Sequence, residues 1–477
     1  MQGWGEAPQT PHPAVPDLPV LRKNKLIIFR SMNLKNKTKK KRLNSFQVII
    51  ISFFAMIMFG SLLLMMPFSS RDRVFTPFSD CMFTAISATC VTGLVVKDTA
   101  TYWSLFGQIV ILLMIQVGGM GVITIGLAVM RASGKKIGLW TRSTMQESIS
   151  APSLGGIVHL TGFILKGSAI IELIGAVLLA PVFCRDFGLV KGLWYSLWHS
   201  ISAFCNAGFD LMGVREQFSS LCTYSDNVYV NIIIMLLIIV GGIGFLVWND
   251  ILTHRHHFKK YTLQAKVVLI TTLVLIFFPA VYFFFFEYKG YPMAERIVSS
   301  LFQSVTARTA GFNTQDLAAM DESGTLIMIV LMLIGGSPGS TAGGMKTTTV
   351  AVLYLAAVTV FGRRNDVQCF KRRLSEETVR NAGAILFMYL VLYITSGVVI
   401  SRTEDLPLLT CLFETGSAVG TAGLTLGITT GLKLSSHIIL MILMFLGRVG
   451  GLTLIYAALP SGENQNSRMP LENINVG

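Results

Sequence analysis

The groups in this chain best suited to chemistry are backbone carbonyls in four short, similar stretches. They read FTAISATCVTGL (Phe83 to Leu94), WHSISAFCNAGF (Trp198 to Phe209), FQSVTARTAGF (Phe302 to Phe312) and FETGSAVGTAGL (Phe413 to Leu424). Each runs from an aromatic residue through small and hydroxylated residues to a glycine backed by an apolar side chain. A bare monovalent cation such as potassium needs several oxygens to replace its lost water, and rings of carbonyls supply them without a full countercharge. Pointing successive carbonyls to one side requires φ > 0, which glycine reaches at little steric cost. The expected ligating carbonyls are those of Val91, Thr92 and Gly93; Asn206, Ala207 and Gly208; Thr309, Ala310 and Gly311; and Thr421, Ala422 and Gly423. No acid stands at the loop tips, which argues against a carboxylate ring for divalent cations. Glu414, near the start of its half-helix, is expected to satisfy backbone donors or a neighbouring loop.

Such loops must be carried by a membrane framework. Of the 477 residues, 52% are hydrophobic and only 13% charged, with a mean hydropathy of +0.62. That composition predicts an all-α polytopic membrane protein. Apolar stretches such as Val48 to Met66, Leu105 to Met130, Asn231 to Trp248 and His437 to Leu459 approach the roughly 20 residues that cross hydrocarbon, and eight spans are expected. The pattern of outer helix, half-helix, glycine loop and second helix recurs in residues 45–134, 155–253, 264–362 and 376–460. Four M1–P–M2 repeats around one pseudo-fourfold pore follow from this period. Residues 1–44 read as a disordered basic segment, with the stretch from Met32 as the natural start of such a chain, and residues 461–477 as a polar tail.

A net charge of +14 raises nucleic acid as a partner, but the positions of the cations give another reason for them. They gather between Arg22 and Arg42 and after alternate spans: Arg131, Lys135, Lys136 and Arg142; Arg255, Lys259, Lys260 and Lys266; and Arg363 to Arg380. The positive-inside rule then puts both termini in the cytoplasm and leaves no need for nucleic acid. The seven cysteines are scattered, without a zinc or disulfide framework, and His254, His256 and His257 read as a solvated connector.

Each second helix carries a glycine pair: Gly118 with Gly119, Gly241 with Gly242, Gly335 with Gly336, and Gly450 with Gly451. The first, second and fourth suit close helix packing. The third opens a longer break, Gly335, Gly336, Ser337, Pro338, Gly339, Ser340, Thr341, Ala342, Gly343 and Gly344, followed by Lys346. Proline and the glycines cannot keep this stretch helical, and unwound backbone at membrane depth must line water or be buried in protein. It reads as a flexible gate, with Lys346 either bonding its carbonyls or sitting at the cytoplasmic interface. Arg448, in mid-span, is either braced by carbonyls or an electrostatic element beneath the filter. Arg308 is expected to turn away from the pore and be paired, and Lys166 and Glu172 read as internal pairing groups, the partners of all three left open.

Taken together, SISAFCNAGF, SVTARTAGFNTQD, GGSPGSTAGGMKTTT and LGRVGG resemble the Trk/Ktr/HKT superfamily of potassium-translocating proteins, most closely the membrane-embedded, pore-forming subunit of Ktr-type uptake systems. The resemblance runs from about Phe46 to the C-terminus. It implies Gly93, Gly208, Gly311 and Gly423 as filter glycines, a gating loop at residues 335–344, and an arginine under the filter at Arg448. It also implies a homodimer in the cell membrane, resting on a cytoplasmic nucleotide-binding ring of RCK/KTN type, with sodium as a coupling or activating ion. No organic cofactor is implied for the chain itself. Glycine at position 93, where sodium-preferring relatives carry serine, supports potassium. The third loop is one residue shorter between its aromatic and its glycine, which leaves its carbonyl register open.

The competing class is an ion-coupled secondary transporter of a small solute, which would require a twofold repeat with buried acids or a polar pocket. An enzyme lacks any nucleophile–base or paired-carboxylate set.

Overall fold

The computed structural model of the chain describes residues 44–126, 138–149 and 155–451, with Thr453 and Tyr456. The expectations for the basic N-terminal segment before residue 44, for Arg131, Lys135 and Lys136, and for the tail 461–477 fall outside the described residues.

The described chain is predominantly helical. In order come α1 (Ser45–Met65), α2 (Phe78–Thr89), α3 (Leu105–Met120), α4 (Leu139–Ile149), α5 (Ile157–Phe187), α6 (Leu189–Phe204), α7 (Val228–Gly242) and α8 (Phe245–His254). They are followed by α9 (Leu263–Tyr282), α10 (Met293–Thr306), α11 (Glu322–Leu333), α12 (Thr347–Phe361), α13 (Glu376–Glu404), α14 (Leu408–Gly420) and α15 (Leu434–Val449). A two-stranded antiparallel ribbon pairs Gln368–Cys369 with Arg372–Arg373 between α12 and α13.

Among the described residues, four helices are long and apolar enough to cross a membrane: α1 with 21 residues, α5 with 31, α9 extended to Glu287 with 25, and α13 with 29. At 1.5 Å per residue each reaches about 30 Å. Short helices follow them. Pro77, Pro292 and Pro407 stand just before α2, α10 and α14, and Gly188 before α6. Proline disfavours helix in the residue ahead of it and Gly188 takes φ of 81°, so the chain turns before each half-helix begins.

The second helices of three units are broken where the sequence reads as one continuous apolar span. Apolar sequence continues past Met120, Gly242 and Val449, and helix resumes there only after a break, at Val122, Phe245 and Gly451. Gly121, Gly244 and Gly450 take φ of 87°, 97° and 87°, a region closed to right-handed helix. The chain bends by 96° between α7 and α8, and α11 stops at Leu333. Hydropathy reports burial in lipid, whereas continuity of a helix is a dihedral property, and the two part at these glycines. α4 belongs to no expected unit; its Thr144 hydroxyl donates to the Ser45 hydroxyl at the start of α1 at 3.3 Å.

Packing closes the bundle on itself. The second helix of each unit packs on the half-helix of the next: α3 on α6, α7 on α10, α11 on α14, and α15 back on α2. Small residues let second helices also lie close against the half-helices of their own units. A Cβ on Gly118 would strike the Thr89 carbonyl oxygen at the end of α2, and one on Gly241 the Phe204 carbonyl at the end of α6. In the last unit that place is taken by Gly447, set against the Val419 carbonyl, while Gly450 makes the break. Close packing is thus right for the first two pairs, and in the fourth it holds at Gly451, where a Cβ would strike the Met388 side chain of α13. Gly118→Ala is expected to destabilise the fold by about 1–3 kcal/mol, the usual cost of forcing a methyl into a packed site. Thermal unfolding in detergent measures it, with Gly383→Ala, which meets nothing within 4 Å and gains helix propensity inside α13, as the comparison expected to lose no stability.

Candidate functional site

The half-helices end in a shared turn. Val91, Asn206 and Thr421 adopt φ of 57°, 57° and 52°. Two amides wrap each end: Val91 N–H donates to the Ala88 carbonyl at 3.2 Å and Thr92 N–H to Ser87 at 2.8 Å, with the same pairs at Asn206–Ala203 and Ala207–Ser202, and at Thr421–Ala418 and Ala422–Ser417. This is the Schellman arrangement. The shorter third loop is closed by an ordinary helical bond, Ala310 N–H to the Thr306 carbonyl at 3.0 Å, yet Thr309 still has φ of 73°. The missing residue is therefore absorbed at the helix end, and a left-handed residue stands two before the glycine in all four turns. Three of these are β-branched, a conformation costing about 1–3 kcal/mol each that survives only where its surroundings impose it.

The four glycines meet. A Cβ built on Gly93 would lie 2.6 Å from the Ala207 oxygen and 3.2 Å from Gly208 Cα; on Gly208, 2.7 Å from Gly311 Cα; on Gly311, 3.4 Å from Gly423 Cα; and on Gly423, 3.0 Å from Gly93 Cα. The contacts run through all four turns and return to the first. Their φ values, 98°, 70°, 78° and 80°, and the lack of room for a side chain both require glycine.

A cavity of about 120 Å³ opens on one side of this ring, lined by Gly93, Gly208, Gly311 and Gly423 together with Asp98 and Asp210. The acid-free mouth read from the loops is thus incomplete, because Asp98 arrives from the chain after the first turn and Asp210 follows the second glycine by two residues. Asp98 is buried and accepts from Ala100 N–H, Thr101 N–H and hydroxyl, and Phe218 N–H. Glu414 behaves as expected: fully buried, it accepts from the Thr425 hydroxyl, Leu426 N–H at 3.2 Å and the Thr429 hydroxyl at 2.9 Å, pinning the chain after the fourth turn.

On the other side lies the broken segment between α11 and α12. Thr341 donates its N–H to the Gly241 carbonyl at 3.3 Å and its hydroxyl to Phe204 at 3.0 Å; Ser337 N–H reaches Gly242 at 3.0 Å; and Gly344 N–H reaches Gly447 at 3.2 Å. Phe245 N–H donates back to the Gly339 carbonyl at 2.7 Å. A Cβ on Gly343 would strike the side chain of Thr421, so the segment abuts the fourth turn. Beyond it a second cavity of about 240 Å³ is lined by Gly339, Ser340, Ala342, Gly344, Lys346, Glu147 and Arg448.

Two cations tie the segment. Lys346 donates to the Ala342 and Gly343 carbonyls at 2.8 and 3.2 Å, which decides between its two expected roles. Arg448 donates to Thr341 of the segment and to Gly118 and Gly119 of α3, so it is a carbonyl brace and also the link between the broken segment and the first unit.

One expectation does not hold. Arg308 is 6% exposed, but its Nε has no hydrogen-bond partner and it joins no ion pair among the described residues. The loop is held without it, by Ala310 N–H on Thr306 and the Thr306 hydroxyl on Phe312. Glu172, read with Lys166 as an internal pairing group, has Gln116 of α3 as its partner. Six residues advance a helix by about 600°, which leaves the Lys166 and Glu172 side chains about a third of a turn apart.

Comparison with known proteins gives the family and the fold. The family model described as TrkH, cation transport protein, matches residues 25–467. The potassium/sodium uptake protein NtpJ of Enterococcus hirae is 38% identical, over 94% of this chain and 100% of its own length. The Ktr system potassium uptake protein B of Bacillus subtilis is 37% identical, over 89% of this chain and 95% of its own. The crystal structure of the potassium transporter TrkH from Vibrio parahaemolyticus superposes with a TM-score of 0.69, covering 93% of this chain and 91% of that one at 18% identity, a likeness of fold. With the family model spanning nearly the whole sequence, this chain is a member of the TrkH cation transport protein family.

Proposed function

We propose that this chain is the pore-forming subunit of a Ktr-like system that takes up potassium across the cell membrane. The observation that carries the reading is the closed ring of four glycine turns between two cavities. In it, four M1–P–M2 units surround one pore, the carbonyls of Val91 to Gly93 and their three counterparts replace the water of a potassium ion, and residues 335–344 with Lys346 close the path beneath. Relatives named for potassium uptake at 33–38% identity support the substrate, and one named for potassium and sodium supports sodium as coupling or activating ion. The names of the Ktr system proteins support further subunits. The reading takes these to be a second copy of this chain and a cytoplasmic nucleotide-binding ring, with both termini on the ring's side.

Uptake of rubidium into vesicles holding the purified chain tests this, with and without sodium. Saturable uptake, competed by potassium and raised by sodium, is expected. Uptake that ignores competing potassium would reject it.

The outer acids give a pH dependence. Burial chiefly, with repulsion from Asp98, pushes Asp210 up to about 7 against the Met212 N–H that holds it down. The carboxylate is charged above that value and neutral below it, so the mouth loses negative charge as pH falls. Uptake at subsaturating potassium is expected to drop about twofold to threefold between roughly pH 8 and pH 6. Asp210→Asn is expected to flatten this profile, measured as initial rate against external pH.

A further inference from the structure

Glu172 lies on the membrane-crossing helix α5 and is 6% exposed. An acid at that depth is costly and marks a working site by default. Its side chain touches the second turn through one intermediary. Gln116 Nε2 donates to both carboxylate oxygens, at 2.9 and 3.1 Å. A carboxylate only accepts, so the amide nitrogen must face it and the amide oxygen must face away. That oxygen accepts from the Cys205 thiol at 3.7 Å. Cys205 closes α6 and directly precedes Asn206, the left-handed residue of the second turn. The main chain of Glu172 holds the same half-helix: Ser200 Oγ donates to its carbonyl at 2.6 Å.

We propose that Glu172 is a positioning residue for ion selectivity, fixing the Gln116 amide and, through Cys205, the carbonyls of Asn206 to Gly208. This rests on the potassium-pore reading above. In Glu172→Gln the side chain can donate as well as accept, so nothing obliges Gln116 to present its oxygen to Cys205. The thiol then loses its acceptor and the second turn loses one restraint out of register with the other three.

The test is the ratio of potassium to sodium uptake by the full chain in vesicles. Glu172→Gln is expected to lower that ratio about fivefold, the effect of one ordinary hydrogen bond. The exchange Glu172→Gln with Gln116→Glu restores it, because the amide placed on α5 then donates to the carboxylate placed on α3, and that carboxylate still accepts from Cys205. Cys205→Ala lowers the ratio alone, and adding Glu172→Gln to it changes nothing further, as expected of residues in one chain of contacts. Should Glu172→Gln fail to insert, Cys205→Ala carries the test with the acid and its partner intact. An inserted Glu172→Gln or Cys205→Ala with the parent's ratio overturns the inference, as does a fall in rate with the ratio kept, or an exchange that fails to restore it. A parent chain that shows no ion preference overturns the potassium reading and this inference with it.

Discussion

Gly423→Ser is expected to lower potassium-over-sodium selectivity by about tenfold while leaving the protein inserted. Two effects combine. At φ of 80° any side chain is strained by about 1–3 kcal/mol, and the new Cβ would strike the Thr92 carbonyl oxygen, an expected ligand contributed by the neighbouring turn. Thr92 must move, and the spacing of the oxygens moves with it. A difference of about 1.4 kcal/mol between the two ions is a factor of ten. Gly311→Ser acts in the same way, since its Cβ would lie 2.8 Å from Gly208 Cα and 3.0 Å from the Ala422 oxygen. Gly156→Ser separates strain from ring disruption. Its φ is 74° with nothing within 4 Å, so it carries the backbone penalty alone and is expected to keep the ion preference. Competing potassium and sodium uptake measures all three, and an unaltered preference in inserted Gly423→Ser would remove Gly423 from the ring's function.

Deleting Ser337 to Ala342 is expected to raise potassium flux on the order of tenfold and to weaken control by any cytoplasmic partner. The segment is held in place by the bonds of Ser337 and Thr341 to α7 and α6, of Gly339 to Phe245, and by the Arg448 brace. Net contributions of about 0.5–1.5 kcal/mol per bond make a closed state favoured by a few kcal/mol, so conduction requires a minor population. The deletion removes the obstruction and its ties together. Arg448→Gln severs only one tie and is expected to act in the same direction with a smaller increase. Single-turnover efflux from potassium-loaded vesicles reports both, and a flux that falls in correctly inserted deletion protein would contradict a closing role.

The ring was legible in the sequence because its geometry excludes every residue but glycine at four positions, and such a requirement shows in a single sequence. The left-handed residues before those glycines were not legible. Val91, Thr309 and Thr421 are β-branched, a type that disfavours positive φ, and only the closure of the half-helices against neighbouring turns imposes it. The broken segment was legible through Pro338 and its glycines, but its partners were not, since Gly241, Gly447 and Phe204 lie far away in the chain and act through backbone atoms. Helix lengths were misread for a different reason. Leu105 to Met130 is apolar almost throughout, while one dihedral at Gly121 breaks the helix before it resumes at Val122. The acids escaped notice as a set because Asp98 and Asp210 belong to separate loops that only the closed bundle brings to one cavity.

Crystals of the chain grown with thallium in place of potassium, and read by anomalous diffraction, test the central claim most directly. Peaks on the axis enclosed by Gly93, Gly208, Gly311 and Gly423, within ligand distance of the carbonyls that precede them and competed away by excess potassium, are the expected result. Thallium bound only at side-chain carboxylates such as Asp98 and Asp210, with the axis empty, would contradict it.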